Sequence, residues 1–171
     1  ATGTAANCLA LATMVQPHGG IVCHEEAHIE MDEGGAPGFY LHGAKLLLAK
    51  GDGAKLSPDA IRAVVDPIRD DVHQVQPHAI SITQASEYGR TYRPEEVAAI
   101  VALAREHGLV IFADEVYDKV LFDGATHTSI GALSEDVLTI TFNGLSKNYR
   151  ACGYRAGWMV VSGDKKPARD Y

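Results

Sequence analysis

The sequence has few cysteines, few aromatic residues and no long apolar run. Its 3 cysteines, Cys8, Cys23 and Cys152, are odd in number and widely spaced along 171 residues. No Cys-x-x-Cys pair occurs, which argues against a disulfide framework or a zinc ribbon and for reduced thiols in the cytoplasm. Apolar runs such as Leu46–Ala49 and Val110–Ala113 fall far short of the roughly 20 residues that span a membrane. No basic stretch precedes an apolar segment near Ala1, so no signal peptide is visible. Positive charge is also scarce: 15 Lys+Arg stand against 22 Asp+Glu, a net charge of −7. Non-specific nucleic-acid binding needs Lys/Arg clusters, so neither a nucleic acid nor a membrane is an expected partner.

What is present is an ordinary globular balance, 46% hydrophobic and 22% charged, at the length of one domain. Helical and extended patterns alternate. An Ala/Leu-rich helix is expected over 4–15, with strands over 20–24 and 45–49. Ser57-Pro58-Asp59 starts a helix: a capping hydroxyl, proline at the first helical position, then an acid near the positive end of the dipole. Ile61, Val64, Val65 and Ile68 then share one face. A strand over 79–83 leads to a helix opened by Pro94, striped by Val97, Ile100, Val101 and Ala104, and closed by Gly108. The all-apolar run 109–113 reads as a strand covered on both faces, followed by strands over 137–142 and 158–161. The fold class is α/β: a mostly parallel sheet with helices on both faces. The Gly-rich, acid-bearing stretch between His24 and Lys45 has no clear assignment.

Ligands of parallel sheets bind beyond the carboxyl ends of the strands. There the sequence places Thr2-Gly3-Thr4 at a helix start, His24 to His28, Asp114 and Lys147. A helix start with small residues offers N–H groups to a phosphate. A carboxylate such as Asp114 can pair with a protonated ring nitrogen. A lysine after a buried strand can form a Schiff base, and Arg155, eight residues on, can grip a phosphate with two bonds. Each alone has an ordinary structural reading; together they are the parts of a pyridoxal phosphate site. His24 and His28, four apart with Glu25 after the first, only loosely suggest a metal pair, and no metal is expected. The other six histidines, among them His78 and His127, read as surface residues.

Two stretches resemble known families. Residues 1–110 resemble a low-specificity threonine aldolase through Gly3-Thr4-Ala5-Ala6-Asn7, Val22-Cys23-His24-Glu25-Glu26-Ala27-His28-Ile29-Glu30-Met31-Asp32-Glu33, Gly35-Ala36-Pro37, Ile82-Thr83-Gln84-Ala85-Ser86 and Tyr92-Arg93-Pro94-Glu95-Glu96. Residues 111–171 resemble an alanine aminotransferase of class I through Ile111-Phe112-Ala113-Asp114-Glu115-Val116-Tyr117-Asp118-Lys119, Thr139-Ile140-Thr141-Phe142-Asn143-Gly144-Leu145-Ser146-Lys147 and Gly153-Tyr154-Arg155-Ala156-Gly157-Trp158-Met159-Val160. Both families belong to fold type I of the pyridoxal-phosphate superfamily. The resemblance implies that Thr2, Gly3, Thr4 and Arg155 hold the cofactor phosphate and His28 stacks on the ring. It implies that Asp114 pairs with the ring nitrogen, Tyr117 bonds the ring 3-oxygen and Lys147 carries the cofactor. Lys147, His28 and Asp114 would be the catalytic set.

The sequence departs from both patterns. Aldolases have an arginine for the substrate carboxylate where Tyr117 stands. Aminotransferases have an Asn-Pro-Thr-Gly turn near Gln84–Gly89, and the serine often found three residues before the lysine is Gly144. The resemblance also implies that the chain is an incomplete large, cofactor-binding domain, with an upstream strand and a C-terminal small domain outside it. A small amino-acid substrate and a homodimer are expected. The activity it implies is aldol cleavage of a threonine-type β-hydroxy amino acid to glycine and an aldehyde. An alanine-type transamination and an inactive fragment or chimera are the alternatives.

Overall fold

A computed structural model of the protein describes residues 3–166. The elements run α1 (Gly3–Met14), β1 (Gly19–His24), α2 (His28–Met31), α3 (Ala36–Tyr40), β2 (Lys45–Ala49), α4 (Pro58–Val65) and β3 (Gln76–Thr83). They continue with α5 (Pro94–His107), β4 (Val110–Asp114), β5 (Thr139–Gly144), α6 (Leu145–Asn148) and β6 (Gly157–Ser162). The six strands lie in the order β2-β1-β3-β4-β5-β6, with all neighbours parallel except β5 and β6.

Local chemistry accounts for the longer helices. Ser57 Oγ accepts from the Ala60 amide at 3.2 Å, and Pro58 follows at the first helical position. The helix ends at Val65, so Ile68, expected on its buried face, lies beyond it and is only half-buried. α5 opens with Pro94, and the Glu96 carboxylate accepts from the Arg93 amide at 2.7 Å. Gly108 closes it at φ 64°, where a side chain would be strained.

Alternation along the strands builds two cores. Ile111 and Ala113 face α4 and α5, with Ile61, Ile100 and Val97 packed against them. Val110 and Phe112 face the other side, under Leu11 of α1 and Ile29 of α2. Each such buried aliphatic or aromatic side chain contributes about 1.5–3 kcal/mol. The helices therefore cover both faces of the sheet.

β3 starts three residues earlier than expected and includes Pro77. Proline cannot donate to a ladder, and the pairing with β1 shifts register beside it, between Gly20 and Ile21. The stretch after His24 holds two short helices separated by Gly34 and Gly35, both at positive φ (58° and 75°). Four- and five-residue helices leave no periodicity to read. At the far side of the sheet, Gly144 faces Gly157. A Cβ on Gly157 would stand 2.7 Å from the Asn143 carbonyl oxygen, so only glycine lets β5 and β6 close together there.

Candidate active site

The carboxyl ends of the parallel strands meet at one edge. Thr83, Asp114 and Phe142 are side by side in the register of β3, β4 and β5. Above them an open cleft of about 360 Å³ lies between the sheet, α1 and α2. Its walls are Asn7, Leu11, Ala27, His28, Ile29, Ser81, Thr83, Phe112, Asp114 and Phe142.

Asp114 is the last residue of β4, held inside the ladder rather than after it. Its residue surface is partly exposed, yet the carboxyl group itself is desolvated by the cleft walls. Burial pushes it up to about 6, against an amide from Val116 at 3.3 Å and the nearby His28, which pull it down. Glu87 and Glu33 add to the upward push. The shift therefore marks a buried carboxyl that lacks a close cation. A protonated pyridine nitrogen is such a cation, so this position fits pyridoxal phosphate.

His28 begins α2 and is half-exposed. Its amide donates to Glu87 Oε1 at 3.0 Å, and its Nδ1 lies 3.1 Å from Glu33 Oε1. Glu87 also accepts from Thr83 Oγ1 at 3.3 Å, and Tyr88 Oη donates to Glu26 at 2.7 Å. These bonds buckle the loop after β3 to the loop after β1.

The match of His24-Glu25-Glu26-Ala27-His28 to the helical zinc signature is complete rather than loose, since three residues separate the two histidines with Glu25 after the first. Here His24 ends β1 and His28 starts α2, so the two share no helical face. His24 is committed to backbone instead, with Nε2 at 2.9 Å from the Gly51 carbonyl and Nδ1 accepting from the Glu26 amide at 3.1 Å. Among the described residues no group of three or more His, Cys, Asp or Glu is placed to hold a metal.

Lys147 lies on α6, one turn past β5, with its side chain exposed. Two contacts tie its surroundings together. Arg155 Nη1 donates to Ser146 Oγ at 3.4 Å and to the Cys152 carbonyl at 2.9 Å. Asn148 donates to Asp118 and, at 3.1 Å, to Asn143 Oδ1, while its own Oδ1 accepts from the Lys119 amide at 3.2 Å. The Lys147 turn is thereby hooked to the loop that carries Tyr117, which is exposed. Gly3 and Thr4 form the start of α1, whose next turns supply the cleft residues Asn7 and Leu11. Thr2 lies outside the described residues.

Sequence reasoning missed Asn7, Glu33, Glu87, Glu115 and Asn148. Glu115 is buried, and its carboxylate takes the amide of Ile130 at 2.7 Å, Ser129 Oγ at 3.2 Å and His127 Nε2 at 2.9 Å. His127 is thus no surface residue but half-buried. His78 is half-buried as well, and its pKa is lowered by burial and by His18. Glu115 carried a signal, an acid directly after a buried strand; the others pair across long stretches of chain and carried none.

A family model described as "Beta-eliminating lyase" matches residues 1–116, and one described as "Aminotransferase class I and II" matches residues 78–166. The chain belongs to these pyridoxal phosphate enzymes of fold type I. Among curated relatives of this fold type I chain, the low specificity L-threonine aldolase of Pseudomonas sp. (strain NCIMB 10558) is 47% identical, over 99% of this chain and 47% of its own length. The glutamate-pyruvate aminotransferase AlaA of Escherichia coli K12 is 48% identical over 66% of this chain and 26% of its own. The chain thus spans less than half the length of these relatives. An Escherichia coli aminotransferase structure superposes with TM-score 0.81 at 34% identity, covering 96% of this chain and 39% of that one. A Leishmania major threonine aldolase superposes at TM-score 0.80 and 23% identity, covering 99% and 48%. Among the described residues no helix is long and apolar enough to cross a membrane.

Proposed function

We propose that this chain carries the cofactor site of an enzyme that cleaves a β-hydroxy amino acid of the threonine type to glycine and an aldehyde. The observation that carries the reading is His28 in the wall of the cleft that Asp114 closes, with its Nδ1 held by Glu33. Asp114 would face the ring nitrogen of pyridoxal phosphate as its counter-ion. Lys147 would hold the cofactor covalently. Arg155, Gly3 and Thr4, with Thr2, would take the phosphate, and Tyr117 the ring 3-oxygen. Bound pyridoxal phosphate supplies an electron sink for the pair released at the substrate α-carbon. His28 would lie over the ring and take the proton of the β-hydroxyl.

A cytoplasmic setting fits the three free cysteines. A homodimer is part of the proposal, because members of this superfamily usually complete each other's sites across a dimer interface.

A second reading, alanine-type transamination, is favoured by Tyr117 in the place of an aldolase arginine. There Lys147 would shuttle the α-proton. Threonine, and separately alanine with 2-oxoglutarate, distinguish the two. Glycine and acetaldehyde from the first assay, without glutamate from the second, support aldol cleavage. Glutamate without aldehyde reverses the assignment, and silence in both marks an inactive fragment or chimera.

A further inference from the structure

Glu33 has a wholly buried side chain, and beyond its contact with His28 the aldol reading gives it no part in the reaction. A buried carboxylate costs several kcal/mol unless it is paired and hydrogen-bonded. Only Oε1 is served: it accepts from Asn7 Nδ2 at 2.8 Å and lies 3.1 Å from His28 Nδ1. Oε2 has no partner among the described residues. A group that only filled space here would be better apolar, since an unsatisfied buried oxygen is destabilising.

The arrangement has a direct consequence for His28. With Glu33 ionised, its carboxylate can only accept, which would put the imidazole proton on Nδ1. Nε2 then carries the lone pair, and it makes no hydrogen bond among the described residues. Asn7, which also lines the cleft, holds Glu33 from α1 and so fixes the ring from behind.

We propose that Glu33, clamped by Asn7, is the positioning residue that sets the tautomer of His28 and stabilises its cation when Nε2 takes the substrate's β-hydroxyl proton. The proposal rests on the aldol reading. In the step, the O–H bond breaks and its proton passes to Nε2. The freed oxygen pair becomes the second bond of the aldehyde carbonyl. The Cα–Cβ bond breaks with its pair left at the α-carbon, which is protonated in the glycine product. The ring is cationic only while it holds that proton, and the negative charge of Glu33 acts then.

The test compares wild type with Glu33→Ala and with the near-isosteric Glu33→Gln. Nitrogen NMR of the cofactor-free protein reads the His28 tautomer, and steady-state kinetics with threonine read kcat and KM. Wild type shows the Nδ1–H tautomer, and Glu33→Ala shifts it toward Nε2–H. kcat falls on the order of 10- to 100-fold in Glu33→Ala with KM little changed. Glu33→Gln keeps the acceptor and the tautomer but loses the charge, so its kcat lies between. An unchanged tautomer in Glu33→Ala, or an unchanged kcat in Glu33→Gln, overturns the proposal. Should Glu33→Ala not fold, Glu33→Gln alone decides. If wild type does not cleave threonine, the aldol reading falls, while the tautomer comparison still tests whether Glu33 controls His28.

Discussion

His127 Nε2 lies 2.9 Å from Glu115 Oε2, and Glu115 is buried directly behind the end of β4. The pair pins the long loop after Tyr117 to the strand that ends in Asp114. Glu115 also takes the Ile130 amide, so its removal leaves a buried donor and a half-buried imidazole without partners. Glu115→Ala is expected to lower the unfolding free energy by about 3 kcal/mol, read from the midpoint of urea denaturation. An unchanged midpoint would show that the loop is held by other contacts.

Asp114 predicts a pH dependence of the cofactor-free protein. Burial raises its carboxyl to about 6, above the ordinary value of 3.8, so the folded state keeps a proton that the unfolded chain has released. The Asp114 contribution to stability is therefore fully present at and below about pH 4, is lost as pH rises to about 6, and stays absent above that. The loss amounts to roughly 2–3 kcal/mol. Asp114→Asn is expected to flatten this slope and to raise the melting temperature at pH 7. A slope unaltered in the variant assigns it to other groups.

Covalent attachment is tested chemically. Borohydride reduction after incubation with pyridoxal phosphate should leave the cofactor mass on the peptide containing Lys147, and Lys147→Ala should abolish it. Modification of another lysine, or of none, would remove Lys147 from its proposed role.

Asn148 bridges Asp118, Lys119 and Asn143, and so couples the Lys147 turn to the Tyr117 loop. Asn148→Ala is expected to cost about 1 kcal/mol of stability and to lower kcat/KM by about tenfold or more through misplacement of the lysine. A loss of stability with full activity would make this bridge purely structural.

The assembly is read by sedimentation. A dimer is expected, and a folded, fully active monomer would contradict the shared-site arrangement.

Elements with local causes were legible in the sequence. Ser57-Pro58 starts α4, Pro94 and Gly108 bound α5, and the unbroken apolar run 109–113 made β4 a strand buried on both faces. Those signals act within one turn or one strand, so they survive without knowledge of the fold. Asp114 and Lys147 were legible for the same reason: Asp114 ends the apolar run of β4 and Lys147 lies three residues past β5, at the strand ends where parallel sheets expose their ligands. How these residues are held depends on contacts made only in the folded chain. Asn7 meets Glu33 across 26 residues and Asn148 meets Asp118 across 30, distances over which no periodicity links them. The end of the strand at His24 was legible, but the short helix that starts at His28 was not, because four residues carry no periodicity. The raised pKa of Asp114 also belongs to the fold, since it comes from the walls of a cleft built by α1, α2 and three strands, and desolvation exists only once they are assembled.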